Sequence, residues 1–267
     1  MRILCSLSIV VFVALFTLSC NPPAANSDKA GIAISFDDHF IDEWFVLRPL
    51  FQQYGAKATF YITCPDSLTV DEISKLRLLQ EDGHEIGFHG TVHGRSTELM
   101  DAFGAKRYAE IELDPGLKYM KSAGFTPTTY AHPGGNHNAR VDSVLEAYGF
   151  VISRDVAIAN RVYKGIPLYS LAPKIMRSIY YDFDRKDKQV DALLIDTDSG
   201  LTEAQMVEAI QQAKHANKAL MLFGHEPLVG TPRAGAYGFD VAFLNKILME
   251  ANQQGLRFYT MSELPQQ

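Results

Sequence analysis

Short apolar runs alternate with stretches of helical periodicity along most of this chain. Runs rich in aromatic and β-branched residues predict strands, and apolar positions three and four apart predict helices. The pattern predicts eight strands, at residues 31–36, 57–63, 84–89, 128–133, 149–156, 190–196, 219–225 and 256–261. It predicts helices at residues 44–54, 71–82, 140–148, 202–213 and 241–251, and one up to residue 124 that Pro115 breaks. Residues 157–188 fit neither pattern.

Regular alternation of strands and helices is typical of a parallel sheet. The span of roughly 240 residues after the first thirty suits a single-domain α/β fold, a (β/α) barrel with about seven to eight parallel strands. A doubly wound open sheet is the alternative. We find no internal repeat and no domain linker.

The first thirty residues differ in character from the rest. Met1 and Arg2 precede an apolar run that ends at Leu18, as in a secretory signal. Leu18 and Ser19 before Cys20 resemble a bacterial lipobox, so Cys20 is a candidate lipidation site. We therefore expect a signal peptide over residues 1–20, a tether over 21–29 and the barrel over 30–267, in an exported lipoprotein anchored in the periplasm or cell envelope. An ordinary cleaved signal and an uncleaved anchor remain open.

Composition narrows the class of protein. Hydrophobic residues make up 47% and charged residues 21% of the chain, as in soluble globular proteins. A formal net charge of -6 and a pI of about 5.7 give no basic patch for nucleic acid, so no nucleic-acid partner is expected. The three cysteines, Cys5, Cys20 and Cys64, cannot form a disulfide framework in a chain of this length.

Polar side chains follow one predicted strand after another. The carboxyl ends of parallel strands share one face of a barrel, where barrel enzymes hold their chemistry. The residues at these ends are Asp37, Asp38, His39, His89, His93, His132, Arg154, Asp196 and His225.

Three of these residues have the chemistry of a metal site. His89 and His93 are four apart, a common spacing for metal ligands. With Asp38 they supply three ligands and leave a position open, as in catalytic zinc sites. Solvated loop histidines, and an aspartate that caps the following helix, are the alternatives.

Three further positions could carry catalysis around such a metal. Asp37 would be free to act as a base, and His225 could donate a proton to a leaving group. The backbone N–H of Gly134 could face a developing oxyanion. A core histidine at 225 and an ordinary glycine turn at 134 remain open.

Four ordered motifs resemble those of the polysaccharide deacetylases, also called carbohydrate esterase family four or the NodB-homology domain. They are SFDD at residues 35–38, HGTVH at 89–93, AHPGG at 131–135 and LFGH at 222–225, followed by GLRFYTMSEL at 255–264. The resemblance covers nearly the whole chain from Gly31. It implies a distorted (β/α) barrel, a divalent metal that is most often zinc, with cobalt or nickel as substitutes, and removal of acetyl groups from amino-sugar polymers or acetylated xylans.

The resemblance also implies roles for single residues. Asp37 matches the catalytic base, His225 the general acid and the Gly134 backbone the oxyanion donor. The metal ligands of the family match Asp38, His89 and His93.

The chain departs from the family pattern at four places. His39 stands where the family usually has glycine, so His39 is expected as an extra polar group over the metal; His132 is a second accessory candidate. Gly90 replaces the usual serine or threonine. Ala131 replaces an arginine that pairs with the base, and Arg154 on the neighbouring strand is the candidate replacement. The motif with a tryptophan that lines the acetyl pocket is absent, because Trp44 is the only tryptophan.

We therefore expect a metal-dependent hydrolase that removes acetyl groups from an acetylated polysaccharide or oligosaccharide in the cell envelope. A catalytically degenerate glycan-binding lipoprotein, a structural envelope lipoprotein without metal, and a hydrolase of non-carbohydrate amides remain alternatives. Oligomeric state is left undetermined by the sequence.

Overall fold

The computed structural model describes residues 28–157, 162–163, 166–167, 171–231 and 236–267. Residues 162–163 and 166–167 are described by their backbone only. The predicted signal peptide, Cys20 and most of the predicted tether lie outside the described residues, so those predictions stay untested. No helix in the described part of the chain is both long enough and apolar enough to span a membrane.

Strands and helices alternate as the periodicity predicts. The strands are β1 (Gly31–Asp38), β2 (Ala58–Ile62), β3 (Glu85–Phe88), β4 (Thr129–Ala131), β5 (Ile152–Val156), β6 (Val162–Tyr163), β7 (Ile166–Pro167), β8 (Tyr180–Tyr181), β9 (Gln189–Leu194), β10 (Ala219–Gly224), β11 (Pro227–Leu228), β12 (Phe239–Asp240) and β13 (Arg257–Tyr259). The helices are α1 (Ile41–Phe45), α2 (Arg48–Tyr54), α3 (Val70–Glu81), α4 (Ser96–Glu112), α5 (Asp114–Ser122), α6 (Ala139–Ala147), α7 (Ala172–Ile175), α8 (Glu203–Ala216) and α9 (Val241–Gln253).

Seven parallel strands close into a barrel, in the order β1, β2, β3, β4, β5, β9 and β10, with β10 pairing back to β1. This confirms the predicted single-domain barrel, and the alternative of an open doubly wound sheet is wrong. The eighth predicted strand, β13, shares one edge of β1 with β2. Residues 31–33 of β1 pair with β13, and residues 34–38 pair with β2. The barrel is distorted at this point.

The sequence signals that end and begin helices appear in the structure. Thr202 and Gln205 form a capping box at the start of α8, in which each side chain accepts the other's backbone N–H. Pro115 lies in the first turn of α5, where its missing N–H is tolerated, and α4 ends just before it. The strand β10 is buried along its whole length, as expected for a parallel strand covered on both faces.

Trp44 belongs to the core. Its indole is fully buried and lies 5.3 Å from the Phe60 ring, measured between centroids. The indole N–H also donates to the main-chain oxygen of His225, at 2.9 Å. The aromatic core therefore supports the residue that follows β10.

Candidate active site

The polar residues predicted at the strand ends meet at the C-terminal face of the barrel. A pocket of about 280 Å³ opens there. Its lining includes Asp37, His89, His93, His132, Gly134, Gly135, Asp155, Phe223, His225 and Tyr237. Strands β1, β3, β4, β5 and β10 therefore contribute to one cavity.

Asp38, His89 and His93 bring three potential metal ligands together. Asp38 Oδ1 lies 3.6 Å from His89 Nε2 and 3.4 Å from His93 Nε2, and the two nitrogens are 3.2 Å apart. His89 is buried, whereas the His93 side chain is 40% exposed. The group is therefore anchored in the barrel and open toward the pocket.

The environment of His89 prepares its Nε2 atom to act as a ligand. Its Nδ1–H donates to the main-chain oxygen of Ala131 at 2.8 Å, which leaves the Nε2 lone pair facing Asp38 and His93. Burial lowers the pKa of His89 to about 4, despite the nearby Asp37 and Asp38 carboxylates. A neutral imidazole held in this way is the form that binds a metal.

Two of the three potential ligands have a left-handed backbone. Asp38 has φ 87° and His93 has φ 53°, values that residues with a Cβ adopt rarely. Gly90, between the two histidines, has φ 84°. Strained backbone of this kind persists only where surrounding contacts impose it, and it concentrates at functional sites.

Asp37 forms a buried ion pair with Arg154. The Arg154 guanidinium donates through Nη2 to Asp37 Oδ2, and both side chains are almost fully buried. Burial disfavours the charged carboxylate, but the positive charge of Arg154, with contributions from His89 and His225, outweighs it and lowers the pKa of Asp37 below its usual 3.8. Asp37 Oδ1 is buried and has no hydrogen-bond partner among the described residues.

Arg154 contacts Asp37 from β5, the strand next to β4, and the resemblance implies an arginine on β4 at position 131. In the β4–β5 ladder, Arg154 is the register partner of Ala131. Its guanidinium carbon lies 4.5 Å from the centroid of the Phe223 ring, so the cation also packs on an aromatic face. The contact predicted as a replacement for the missing arginine is therefore present.

His225 is held by Asp196, a strand-end residue for which the sequence indicated no role. Its Nδ1–H donates to Asp196 Oδ2 at 2.6 Å, and its backbone N–H donates to Asp196 Oδ1 at 3.1 Å. Burial alone would lower the pKa of His225, but the Asp196 hydrogen bond and the Asp37 charge raise it above 6.5. The signal for Asp196 was its position directly after β9, at the same end of the barrel.

Tyr237 is the second residue at the site that sequence reasoning missed. Its hydroxyl donates to Asp38 Oδ2 at 2.7 Å, and its ring lies 4.5 Å from the His225 ring. No sequence pattern marked Tyr237, because it lies outside the strands and helices and belongs to no motif. An aromatic side chain of the pocket lining therefore contacts one of the potential metal ligands.

The accessory candidates differ in their position relative to the pocket. His39 does not join the potential metal ligands: its Nδ1 contacts the Thr63 main-chain oxygen at 3.1 Å, and its Nε2 lies 3.3 Å from Glu72. Because the backbone of Asp38 is left-handed, the Asp38 side chain lies beside His89 and His93, whereas the side chain of the next residue, His39, lies beside Thr63 and Glu72. Gly134 and His132 both line the pocket.

His132 belongs to a second group of potential ligands with His137 and Asp142. His137 lies between two carboxylates, 2.9 Å from Asp142 and 3.0 Å from Asp155, and their hydrogen bonds raise its pKa to about 10. His132 Nε2 contacts Gln189 Oε1 at 3.2 Å. A protonated His137 balances the negative charge of Asp142. We therefore interpret the group of His132, His137 and Asp142 as an ion-pair cluster beside the pocket.

Part of the sequence matches one protein family, and the structure of most of the chain matches one fold. A family model described as polysaccharide deacetylase matches residues 24–153. A gellan lyase from a Bacillus species is 31% identical over 122 residues, which make up 45% of this chain. The chain matches only 5% of the length of that much larger relative.

Solved structures match almost the whole barrel. The family 4 carbohydrate esterase from Streptomyces lividans, solved with acetate, has a TM-score of 0.54 and 17% identity over 89% of this chain and 94% of that one. The chitin deacetylase from Colletotrichum lindemuthianum has a TM-score of 0.55 and 14% identity, over 89% and 88%. A family 4 pseudoenzyme from Bacillus anthracis has a TM-score of 0.51 and 10% identity, over 89% and 66%. At these identities the likeness shows a shared fold.

Proposed function

We propose that this chain, whose residues 24–153 match the polysaccharide deacetylase family model, is a metal-dependent hydrolase that removes acetyl groups from an acetylated polysaccharide or oligosaccharide of the cell envelope. One observation carries the proposal. The donor atoms of Asp38, His89 and His93 converge in a pocket that also holds a buried carboxylate, Asp37, and a carboxylate-bound histidine, His225.

The donor set fits a zinc ion. Tetrahedral zinc with ligand bonds of about 2.0–2.2 Å requires donor atoms roughly 3.4 Å apart. The three separations in the group are 3.2, 3.4 and 3.6 Å. One carboxylate and two neutral imidazoles are also ligands that zinc prefers. Zinc held there would act as a Lewis acid toward the acetyl carbonyl and would lower the pKa of a coordinated water to about 7.

Asp37 supplies the base in this proposal. Its Oδ1 atom is free of protein partners among the described residues, while Arg154 holds Oδ2. The arginine keeps the carboxylate ionised, so Oδ1 can accept a proton from the attacking water. Loss of such a positioned base reduces rates by roughly 10²- to 10⁴-fold.

His225 supplies the acid. Asp196 fixes its Nδ1–H and raises its pKa, which favours the imidazolium form, whose Nε2–H can be donated to the departing amine or alcohol. Gly134, in a left-handed turn at the pocket wall, would offer its backbone N–H to the developing oxyanion. Acetate and the deacetylated sugar are then released.

The envelope location rests on the sequence before the barrel. An apolar run followed by Cys20 supports export and lipid attachment at that cysteine. A lipid anchor on Cys20 and a short tether would hold the barrel close to the membrane surface, where envelope glycans are accessible.

A catalytically degenerate glycan-binding protein is the second candidate. Its support is the missing tryptophan motif, the alanine at position 131, and a family pseudoenzyme of the same fold. The Arg154–Asp37 contact weighs against it, because the charge lost at Ala131 is supplied from β5.

An acetate-release assay separates the two candidates. The panel should include acetylated xylan, acetylated chitooligosaccharides and peptidoglycan, each with and without a chelator, with an Asp37→Asn variant as a control. We expect release from at least one substrate, abolished by the chelator and by the variant. Binding of a glycan with no acetate release from any substrate would favour the degenerate protein. Release that the chelator leaves unchanged would exclude a metal-dependent mechanism.

A further inference from the structure

Glu112, the last residue of α4, lies buried beneath the loop that joins His89 to His93. Its carboxylate faces the backbone of that loop. Oε1 accepts the N–H of Gly94 at 2.9 Å, and Oε2 accepts the N–H of Val92 at 3.3 Å. The peptide group that follows His93 and the Thr91–Val92 peptide group are thus tied to one carboxylate.

The main chain of Glu112 holds the same loop at a second point. Its carbonyl oxygen accepts both the N–H and the hydroxyl of Thr91, each at 3.0 Å. The Thr91 hydroxyl in turn accepts the N–H of Gly116 on α5, at 2.9 Å. Four hydrogen bonds therefore connect a single helix-end residue to the loop between the two histidines.

His93 needs such support. Its backbone is left-handed, with φ 53°, and its side chain is the most exposed of the three potential ligands. A residue with a Cβ in this region tends to relax to the right-handed or extended conformation. The bond from the Gly94 N–H opposes that relaxation, because either change would rotate the peptide group that follows His93. The bond from the Val92 N–H holds the chain on the other side of His93 in place.

Glu112 also accounts for the departure of this chain from the family motif at Gly90. A Cβ on Gly90 would lie 2.0 Å from Glu112 Oε1, and φ at this position is 84°. A serine or threonine therefore cannot stand at position 90 while the carboxylate occupies its present place. In this chain the glycine makes room for the carboxylate.

We propose that Glu112 is a positioning residue of the metal site: its carboxylate fixes the 92–94 backbone so that His93 Nε2 stays directed at Asp38 and His89. The proposal rests on the proposed function, in which these three residues hold the metal. Glu112 itself lies beneath the loop and touches neither substrate nor metal.

Zinc affinity measures this role directly. The dissociation constant would be measured by competition with a chromophoric chelator at about pH 8, where the carboxylate is ionised although burial raises its pKa to about 7. Glu112→Gln preserves shape but sets an amide NH₂ against one backbone N–H, and Glu112→Ala removes both bonds. Glu110→Gln is the matched control, on the same helix with a side chain 39% exposed.

We expect Glu112→Gln to weaken zinc binding by roughly 10- to 100-fold, as for other residues that orient metal ligands, and Glu112→Ala to weaken it further. The visible spectrum of the Co²⁺-loaded Gln variant should change with the altered His93 position. Glu110→Gln should bind zinc as the wild type does. A folded Gln variant with unchanged zinc affinity and cobalt spectrum would overturn the positioning role.

Two further outcomes are informative. If the wild type binds no zinc, the proposed function falls, and this inference falls with it. If both Glu112 variants fail to fold, amide hydrogen exchange of the metal-free wild type tests the positioning role instead. Slow exchange at Val92 and Gly94 would support the proposal, and exchange as fast as in an open loop would overturn it.

Discussion

Replacing Arg154 with methionine should leave the Asp37 carboxylate buried without its cation. Arg154 is 0% and Asp37 is 2% exposed, so water cannot take over the lost contact. Removing one partner of a buried ion pair costs about 3–5 kcal/mol of unfolding free energy. The matched control is Arg140→Met, which breaks an exposed pair with Asp101 and should change stability by less than about 1 kcal/mol.

The loss of unfolding free energy in Arg154→Met should depend on pH, and the pKa of Asp37 determines its direction. In the wild type, the pKa of Asp37 lies below its usual 3.8, so its stabilising contribution is present above that value and is lost as the pH falls through the folded-state pKa. In Arg154→Met, the largest effect that opposes burial is removed, so the pKa of Asp37 should rise relative to wild type. The variant should therefore be least stable relative to wild type at neutral pH, and the gap should narrow as acid protonates the carboxyl.

Urea unfolding followed by circular dichroism, at a series of pH values, measures this gap. Adding Ala131→Arg to Arg154→Met tests the geometry, because the two positions are register partners and the family usually has arginine at position 131. The double variant should recover part of the stability that Arg154→Met loses. An Arg154→Met protein as stable as wild type at neutral pH, or a gap that stays constant on acidification, would refute the reasoning.

Three further expectations concern the chemistry and the location. Asp37→Asn should keep its zinc, measured by elemental analysis, while kcat falls roughly 10²- to 10⁴-fold because the ligands remain and the base is lost; near-normal turnover would reject Asp37 as the base. Asp196→Asn removes the carboxylate charge that supports the imidazolium form of His225, so the alkaline limb of the kcat/KM profile should move to lower pH; an unmoved limb would argue against His225 as the acid. Cys20→Ala should release the protein from membrane fractions in a blot, whereas continued membrane association would count against lipidation.

The strands and their shared polar end were predictable from the sequence, because periodicity and strand-end residues are local signals. Once the strands are parallel, Asp38, His89 and His93 must lie at the same end of the barrel, although β2 separates the two strands that carry them. The sharing of the β1 edge by β13 and β2 carried no such signal, since register depends on packing across the whole barrel.

The residues that support the site were harder to predict because their partners are distant in the sequence. Asp37 and Arg154 are 117 residues apart, and Asp38 and Tyr237 are 199 apart. The arginine could be anticipated only because a neighbouring position lacked one. Glu112 lies at a helix end, and nothing in its local sequence distinguishes it from an ordinary exposed glutamate.

The central claim is that Asp38, His89 and His93 hold one catalytic cation. Anomalous diffraction at the zinc edge, from crystals of zinc-loaded protein, tests it most directly. The account predicts one ion about 2.0–2.2 Å from Asp38 Oδ1, His89 Nε2 and His93 Nε2. An ion found only at His132, His137 and Asp142, or no bound ion at all, would contradict it.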